Sequence, residues 1–164
     1  VNSDLVGTMT NMSAVESETV DAVFSSHNIE HLYPHDVPVA LAEFRRVLNP
    51  GGFAVITCPD LQSVCALIAD DKLTEAAYTS PAGPIAPIDI LYGYRDAMAR
   101  GNLYMAHRCG FTQRVLTGTL QAAGFPVVIS MRRAGPYFDL WALASRAPLA
   151  DDELRALAMH HFPK

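Results

Sequence analysis

The sequence predicts an α/β domain, and three features carry the prediction. A strand-helix-strand run spans Val20 to Asp60, a capped helix precedes two closely linked strands between Thr112 and Ala144, and half of the 164 residues are hydrophobic. A chain of that length and apolar content is one domain with a sizeable core.

The chain opens with Asp4-Leu5-Val6-Gly7-Thr8-Met9-Thr10-Asn11-Met12, whose first half reads either as a short strand or as a frayed arm. Val20 to Phe24 is β-branched and aromatic, stops at Ser25-Ser26, and reads as a buried strand. Asp36 is placed to cap a helix with Pro38 in its first turn, where the missing N–H has no intrahelical partner. Val37, Ala40, Leu41, Phe44 and Leu48 share one face of it, while Glu43, Arg45 and Arg46 take the other. Asn49-Pro50-Gly51-Gly52 ends this helix, and Phe53 to Thr57 is a continuous apolar strand closed by Cys58-Pro59-Asp60. Two buried strands joined by such a helix should be parallel, with a right-handed crossover.

Asp60 is placed to cap a following helix with Leu61, Val64, Cys65 and Ile68 inward, making Cys65 a core thiol. Pro81, Pro84 and Pro87 forbid regular helix or central strand from Tyr78 to Ile90. Ile88 to Arg100 then reads as a short helix broken near Gly93. Thr112 caps a helix using Val115, Leu116, Leu120 and Ala123, which Gly124 ends. Val127 to Met131 and Tyr137 to Ala144 are strands joined too tightly to be anything but antiparallel. A last helix covers Leu149 to His161, capped by Asp151.

Asp21-Ala22-Val23, Ser26-His27, Glu30-His31-Leu32, Glu43, Arg46-Val47-Leu48-Asn49-Pro50-Gly51-Gly52 and Pro59-Asp60 resemble one family in consecutive order. The resemblance is to class I S-adenosylmethionine-dependent methyltransferases, over the fourth strand, the helix after it and the fifth strand. More closely, it is to the branch with a His-x-x-Glu-His-Leu loop. His107 to Thr112 and Ala123-Gly124-Phe125 resemble the phrase that precedes the last two strands. The resemblance implies a partial Rossmann-like sheet, with strands 3, 4 and 5, an antiparallel 6-7 pair and flanking helices. In the family order 3-2-1-4-5-7-6 the cofactor lies between strands 1 and 4. No Gly-x-Gly loop stands upstream of Val20, so the expectation is a truncated domain over residues 1–164 with half a cofactor cleft. Val20 to Phe24 would then be an edge strand, which recruits partners, and the expected assembly is a homodimer through it. A fold-back of the N-terminal segment is the alternative cover.

The same resemblance implies the site. S-adenosylmethionine is the expected cofactor, though an isolated chain lacking the glycine loop need not bind it. Its adenine would meet Thr8, Met9 and Thr10, and its methionine end Ser25, Ser26, His27 and Asn28. Thr8 stands where an acidic residue is common, so the backbone of Met9 or the side chain of Thr10 is the stronger adenine contact. His31 or His27 is the candidate base, imidazole being suited to proton transfer near neutral pH. Pro59 and Asp60 fall on the substrate side, although capping is the plainer role for Asp60. Residues 78–108 form an insertion or lid, offering Tyr78, Tyr92, Tyr94, Tyr104 and His107 as substrate contacts, with packing on the sheet as the simpler role.

His27, His31 and His35 are spaced by four, but Pro34 breaks the helix that would align them, so no metal is expected. The net charge of −5 and scattered cations argue against a nucleic-acid partner, leaving a small-molecule acceptor. No apolar run reaches the length of a membrane span, and no secretory signal opens the chain. Cys58, Cys65 and Cys109 read as free thiols of a cytoplasmic protein. Two functions remain open: a methyltransferase, or a non-catalytic relic of its fold acting as a dimeric interaction or scaffold protein.

Overall fold

The computed structural model describes residues 5–133 and 135–163, which form a mixed four-stranded sheet, flanking helices and a separate two-stranded hairpin. Strand β1 (Val20–Ser26) runs parallel to β2 (Leu48–Pro59), with α1 (Val37–Val47) as the crossover. After β2 come α2 (Leu61–Ala69), the hairpin β3 (Tyr78–Ser80) and β4 (Gly83–Ile85), and the short helices α3 (Pro87–Tyr92) and α4 (Arg95–Ala99). The chain ends with α5 (Gln113–Ala122), β5 (Val127–Arg133), β6 (Asp139–Ser145) and α6 (Asp151–His161). The sheet order is β1-β2-β6-β5, with β6 antiparallel to both neighbours. That is the 4-5-7-6 portion of the order the resemblance implies.

Alternation along β2 divides the core. Ala54, Ile56 and Cys58 face α1 and α5, joining Leu41, Phe44, Leu116 and Leu120. Phe53 and Val55 face α6, where Leu143, Leu154 and Leu157 complete a second cluster. Glycine is required where β1 and β2 come together. Residues 49–52 bulge between the pairs Val20–Leu48 and Ala22–Phe53, and a Cβ on Gly52 would lie 3.0 Å from the Asp21 carbonyl oxygen.

Several expectations are corrected. No third strand forms among the described residues: Thr8 and Asn11 face each other across a tight turn instead. Nor is this segment frayed. The Met12 N–H donates to Glu43 Oε2 at 2.6 Å, and Arg46 donates to the carbonyls of Met12 and Val15 at 2.8 and 3.0 Å. Met9 and Met12 pack on the core. The side chain of Asp36 accepts no capping bond. Ala150, not Asp151, caps α6, its N–H donating to Glu153 Oε2 at 3.2 Å. Only Val64 of α2 is buried, and Cys65 is exposed, because α2 packs on the hairpin and α3 rather than on the sheet. Val115 is likewise exposed on the outer side of α5.

The caps at Asp60 and Thr112 are present, Asp60 accepting from the N–H groups of Gln62 and Ser63 and Thr112 from that of Val115. The break near Gly93 is there too, with φ at +100° and a hypothetical Cβ 1.9 Å from the Met105 carbonyl oxygen. No helix among the described residues is long and apolar enough to cross a membrane.

Candidate functional site

The parallel strands β1 and β2 end at one edge of the sheet, and the loop after β1 lies over it. The His27 N–H donates to the Thr57 carbonyl at 3.0 Å and Ser26 Oγ meets Thr57 Oγ1 at 3.1 Å, so the loop starts fastened to β2. His27 then takes φ +49°, a left-handed conformation that costs a residue with a side chain, and turns the chain into the 3-10 turn Ile29–His31. Ile29 anchors this turn in the core at 1% exposure.

The turn also buries a carboxylate. Glu30 is 1% exposed, and neither of its oxygens has a hydrogen-bond partner among the described residues. His27 Nδ1 stands 3.3 Å from Glu30 Oε1, close enough for ion pairing but off the line of a hydrogen bond. The contact with Glu30 raises the His27 pKa above its ordinary value against the opposing effect of burial. His27 faces the Glu30 carboxylate through Nδ1, and His31, which lines the same cleft, is the other candidate base.

His31 and His107 meet edge to face beside Glu30, their ring centres 4.9 Å apart. His31 Nδ1 lies 3.1 Å from the Ala106 carbonyl oxygen and His107 Nδ1 lies 2.8 Å from that of Ile90. A carbonyl only accepts, so each ring carries a proton on Nδ1, and in the neutral ring Nε2 is the free acceptor. Burial lowers the His107 pKa, favouring the neutral ring. Cys109, donating to the Ile29 carbonyl at 3.3 Å, is pushed up to about 11 by burial and then by the Glu30 charge.

Two clefts open on this loop. One, of about 490 Å³, is walled by His27, Asn28, Glu30, His31 and Pro59 and by Tyr78, Tyr94, Tyr104, His107, Tyr137 and Phe138. The other, of about 550 Å³, lies between the N-terminal arm and β1, with Thr8, Met9, Val23, Phe24, Ser25, Asn28 and Phe44 among its lining. Asn28 lines both clefts.

The residues singled out in the sequence divide accordingly. His27, His31, Pro59, Tyr78, Tyr94, Tyr104 and His107 gather at the first cleft, and Thr8, Met9 and Ser25 at the second. Thr10 faces a different hollow beside Val39 and Glu43, and Tyr92 is exposed outside both clefts. Ser26 spends its hydroxyl on Thr57. Asp60 is fully buried, capping α2 with Oδ2 2.6 Å from Arg132 Nε, and lines neither cleft. His35 stacks on Tyr33 at 5.6 Å, away from Glu30, so the spacing-by-four trio does not converge. What sequence reading missed is the pairing of His31 with His107 and the aromatic wall from Tyr137 and Phe138. Only the resemblance of His107 to Thr112 hinted at the former.

Residues 2–56 match a family described as a methyltransferase domain. No curated protein sequence matches the chain. Among solved structures, the chain resembles a methyltransferase of Thermotoga maritima described as a possible histamine N-methyltransferase, with a TM-score of 0.56 at 16% identity. The match covers 87% of this chain and 63% of that one. The 1,6-didemethyltoxoflavin-N1-methyltransferase of Burkholderia thailandensis, solved with 1,6-didemethyltoxoflavin and S-adenosylhomocysteine bound, gives a TM-score of 0.55 at 17% identity, covering 88% of this chain and 50% of that one. A methyltransferase of Methanosarcina mazei gives a TM-score of 0.55 at 12% identity, covering 88% and 67%. The chain thus spans about half to two thirds of the length of the structures it resembles.

Proposed function

We propose that this chain, which carries the fold of class I S-adenosylmethionine-dependent methyltransferases and matches their domain family over residues 2–56, serves methyl transfer to a small-molecule acceptor. The observation that carries the reading is Asn28, a single polar residue shared by the two clefts that meet at the carboxyl end of the parallel strands. The arm-side cleft is assigned to the cofactor. Its lining suits an adenine and an amino-acid tail: Met9, Val23, Phe24 and Phe44 are apolar, while Thr8, Ser25 and Asn28 offer hydrogen bonds. Bound there, S-adenosylmethionine supplies an activated methyl group.

The remaining work is alignment, and this chain's own residues are arranged for it. Tyr78, Tyr94, Tyr104, Tyr137 and Phe138 favour a flat, largely apolar acceptor, Pro59 closes the floor, and His31 Nε2 is available to take a proton. The Burkholderia enzyme's flat heterocyclic ligand is in keeping with such a wall.

The edge of β1 supports a second proposal, a homodimer. Within the described residues β1 pairs only with β2, Phe24 is 65% exposed, and the arm makes no backbone ladder with it. A second copy would complete the sheet and extend the wall of the arm-side cleft. The same edge favours the alternative function, a non-catalytic interaction protein of this fold.

Titration calorimetry and thermal unfolding with S-adenosylmethionine and S-adenosylhomocysteine separate the two functions. A ligand at one hundred times its Kd stabilises the native state by about 2.7 kcal/mol. Asn28→Ala should weaken that binding about tenfold, the value of one good hydrogen bond. No stabilisation at millimolar ligand excludes the catalytic reading for this chain.

A further inference from the structure

Glu30, His31 and His107 pose a problem that the methyl-transfer reading does not solve. A carboxylate at 1% exposure with neither oxygen hydrogen-bonded among the described residues is costly, since burial strips water from a charge without replacing it. Buried charges are retained when they are paired or when they hold a metal. His27 does not settle the account: it is half exposed, it faces one oxygen, and its approach is off-line.

The rest of the cluster has the properties of a ligand set. One carboxylate oxygen of Glu30 and one ring nitrogen each from His31 and His107 lie within 4.8 Å of one another. Both imidazoles are fixed by donating Nδ1–H to main-chain carbonyls, which is how metal-binding histidines are oriented and their second nitrogen made more basic. Around an ion with bonds of 2.0–2.1 Å, tetrahedral ligand atoms sit about 3.4 Å apart, so the side chains would draw in by about an ångström. Two segments far apart in the chain supply the scaffold. The turn carries Glu30 and His31, the return after α4 carries His107, and the Glu30 carbonyl accepts the N–H groups of Arg108 and Cys109 at 2.8 and 3.2 Å, tying the two together.

We propose that Glu30, His31 and His107 bind one divalent transition-metal ion of the zinc type, with a vacant coordination position facing the aromatic cleft. Two imidazoles and one carboxylate select a transition ion, because magnesium and calcium take oxygen ligands. Three protein ligands leave a tetrahedral zinc one position short, the arrangement that admits water or substrate. All three residues line the cleft walled by Tyr104 and Phe138, so that position opens where the acceptor is placed. The acceptor class it fits is a molecule presenting a hydroxyl, phenol or carboxylate oxygen; with the ion bound, His31 is a ligand and no longer a base, so the ion would take over that role. This last step rests on the methyl-transfer reading; the ion site itself does not.

The test uses the full chain after chelator treatment, without S-adenosylmethionine, so its outcome is independent of cofactor binding. Co²⁺ titration followed by visible absorption should give one equivalent with the d–d bands of a four- or five-coordinate ion, and Zn²⁺ should displace it. Glu30→Gln and His107→Gln, each checked for folding by circular dichroism, should weaken Co²⁺ binding at least tenfold. His160 and His161 at the end of α6 meet edge to face with ring centres 4.8 Å apart and are the control for adventitious binding, so the double variant His160→Ala/His161→Ala should bind as the parent does. Acetohydroxamate, an oxygen chelator, should shift the Co²⁺ bands by entering the vacant position. Absence of stoichiometric Co²⁺ binding, retention of it in Glu30→Gln, or its loss in the His160/His161 variant overturns the site. Unshifted bands with acetohydroxamate overturn the vacancy.

Discussion

Glu43 is the residue on which the N-terminal arm depends. Arg46, which also grips the arm, lies 2.6 Å away through Nε, and the Met12 N–H donates to the carboxylate as well, so the Glu43 pKa falls to about 2. A carboxylate depressed in the folded state contributes stability that is fully present above its unfolded value near 4.5 and is lost as pH falls through the folded value near 2. The Met12 amide proton should therefore keep its downfield shift from neutrality to below pH 4 and lose it with a midpoint near 2. Glu43→Gln should abolish that titration and loosen the arm at every pH. A Met12 signal that titrates identically in the variant would mean that another group holds the arm. Because Thr8 and Met9 border the arm-side cleft, the same variant should weaken any ligand bound there.

At the scale of elements, the junction of β2 with α2 bears the most on stability. Asp60 is buried and accepts from the N–H groups of Gln62 and Ser63 and from the Ser63 hydroxyl, while Arg132 of β5 lies 2.6 Å from it. Its own N–H donates to Phe138 at 2.8 Å, and Phe111 accepts from Leu61 at 3.0 Å, so four segments converge there. Asp60→Ala should cost about 2–3 kcal/mol in urea unfolding, combining a lost cap with an arginine left with Gln62 but no carboxylate, the latter discounted for partial exposure. A loss under about 0.5 kcal/mol would show the cap to be redundant. This position had invited a substrate-side role from the sequence, and its burial beneath the cleft makes the capping role the one the geometry serves.

Across the whole molecule the sheet ends in two edge strands, β1 and β5. The faces of β5 are covered by α5 and α6, whereas β1 exposes Asp21, Ala22 and Phe24. Two copies related by a two-fold axis would join their β1 strands antiparallel and continue one sheet through both. Light scattering should give twice the chain mass at micromolar concentration, and Val23→Pro, which removes an N–H and disfavours strand pairing, should return the monomer mass. A parent chain that is already monomeric counts against the assembly.

Local chemistry was enough to specify much of this protein. The apolar runs, Pro38, the Asp60 and Thr112 caps, the Gly93 break and the short β5-β6 link act within a few residues of where they stand, so the sequence alone determined the parallel pair, its crossover helix and the antiparallel strands that follow. It also placed the polar loop of His27 to His31 at the end of β1. Tertiary structure alone decided what surrounds that loop. That Cys65 faces outward, that Arg46 folds the arm back instead of leaving a third strand, and that His107 arrives beside Glu30 and His31 depend on contacts between residues far apart in the chain. No periodicity encodes those meetings: they follow from how helices and loops close over the sheet to bury its apolar faces.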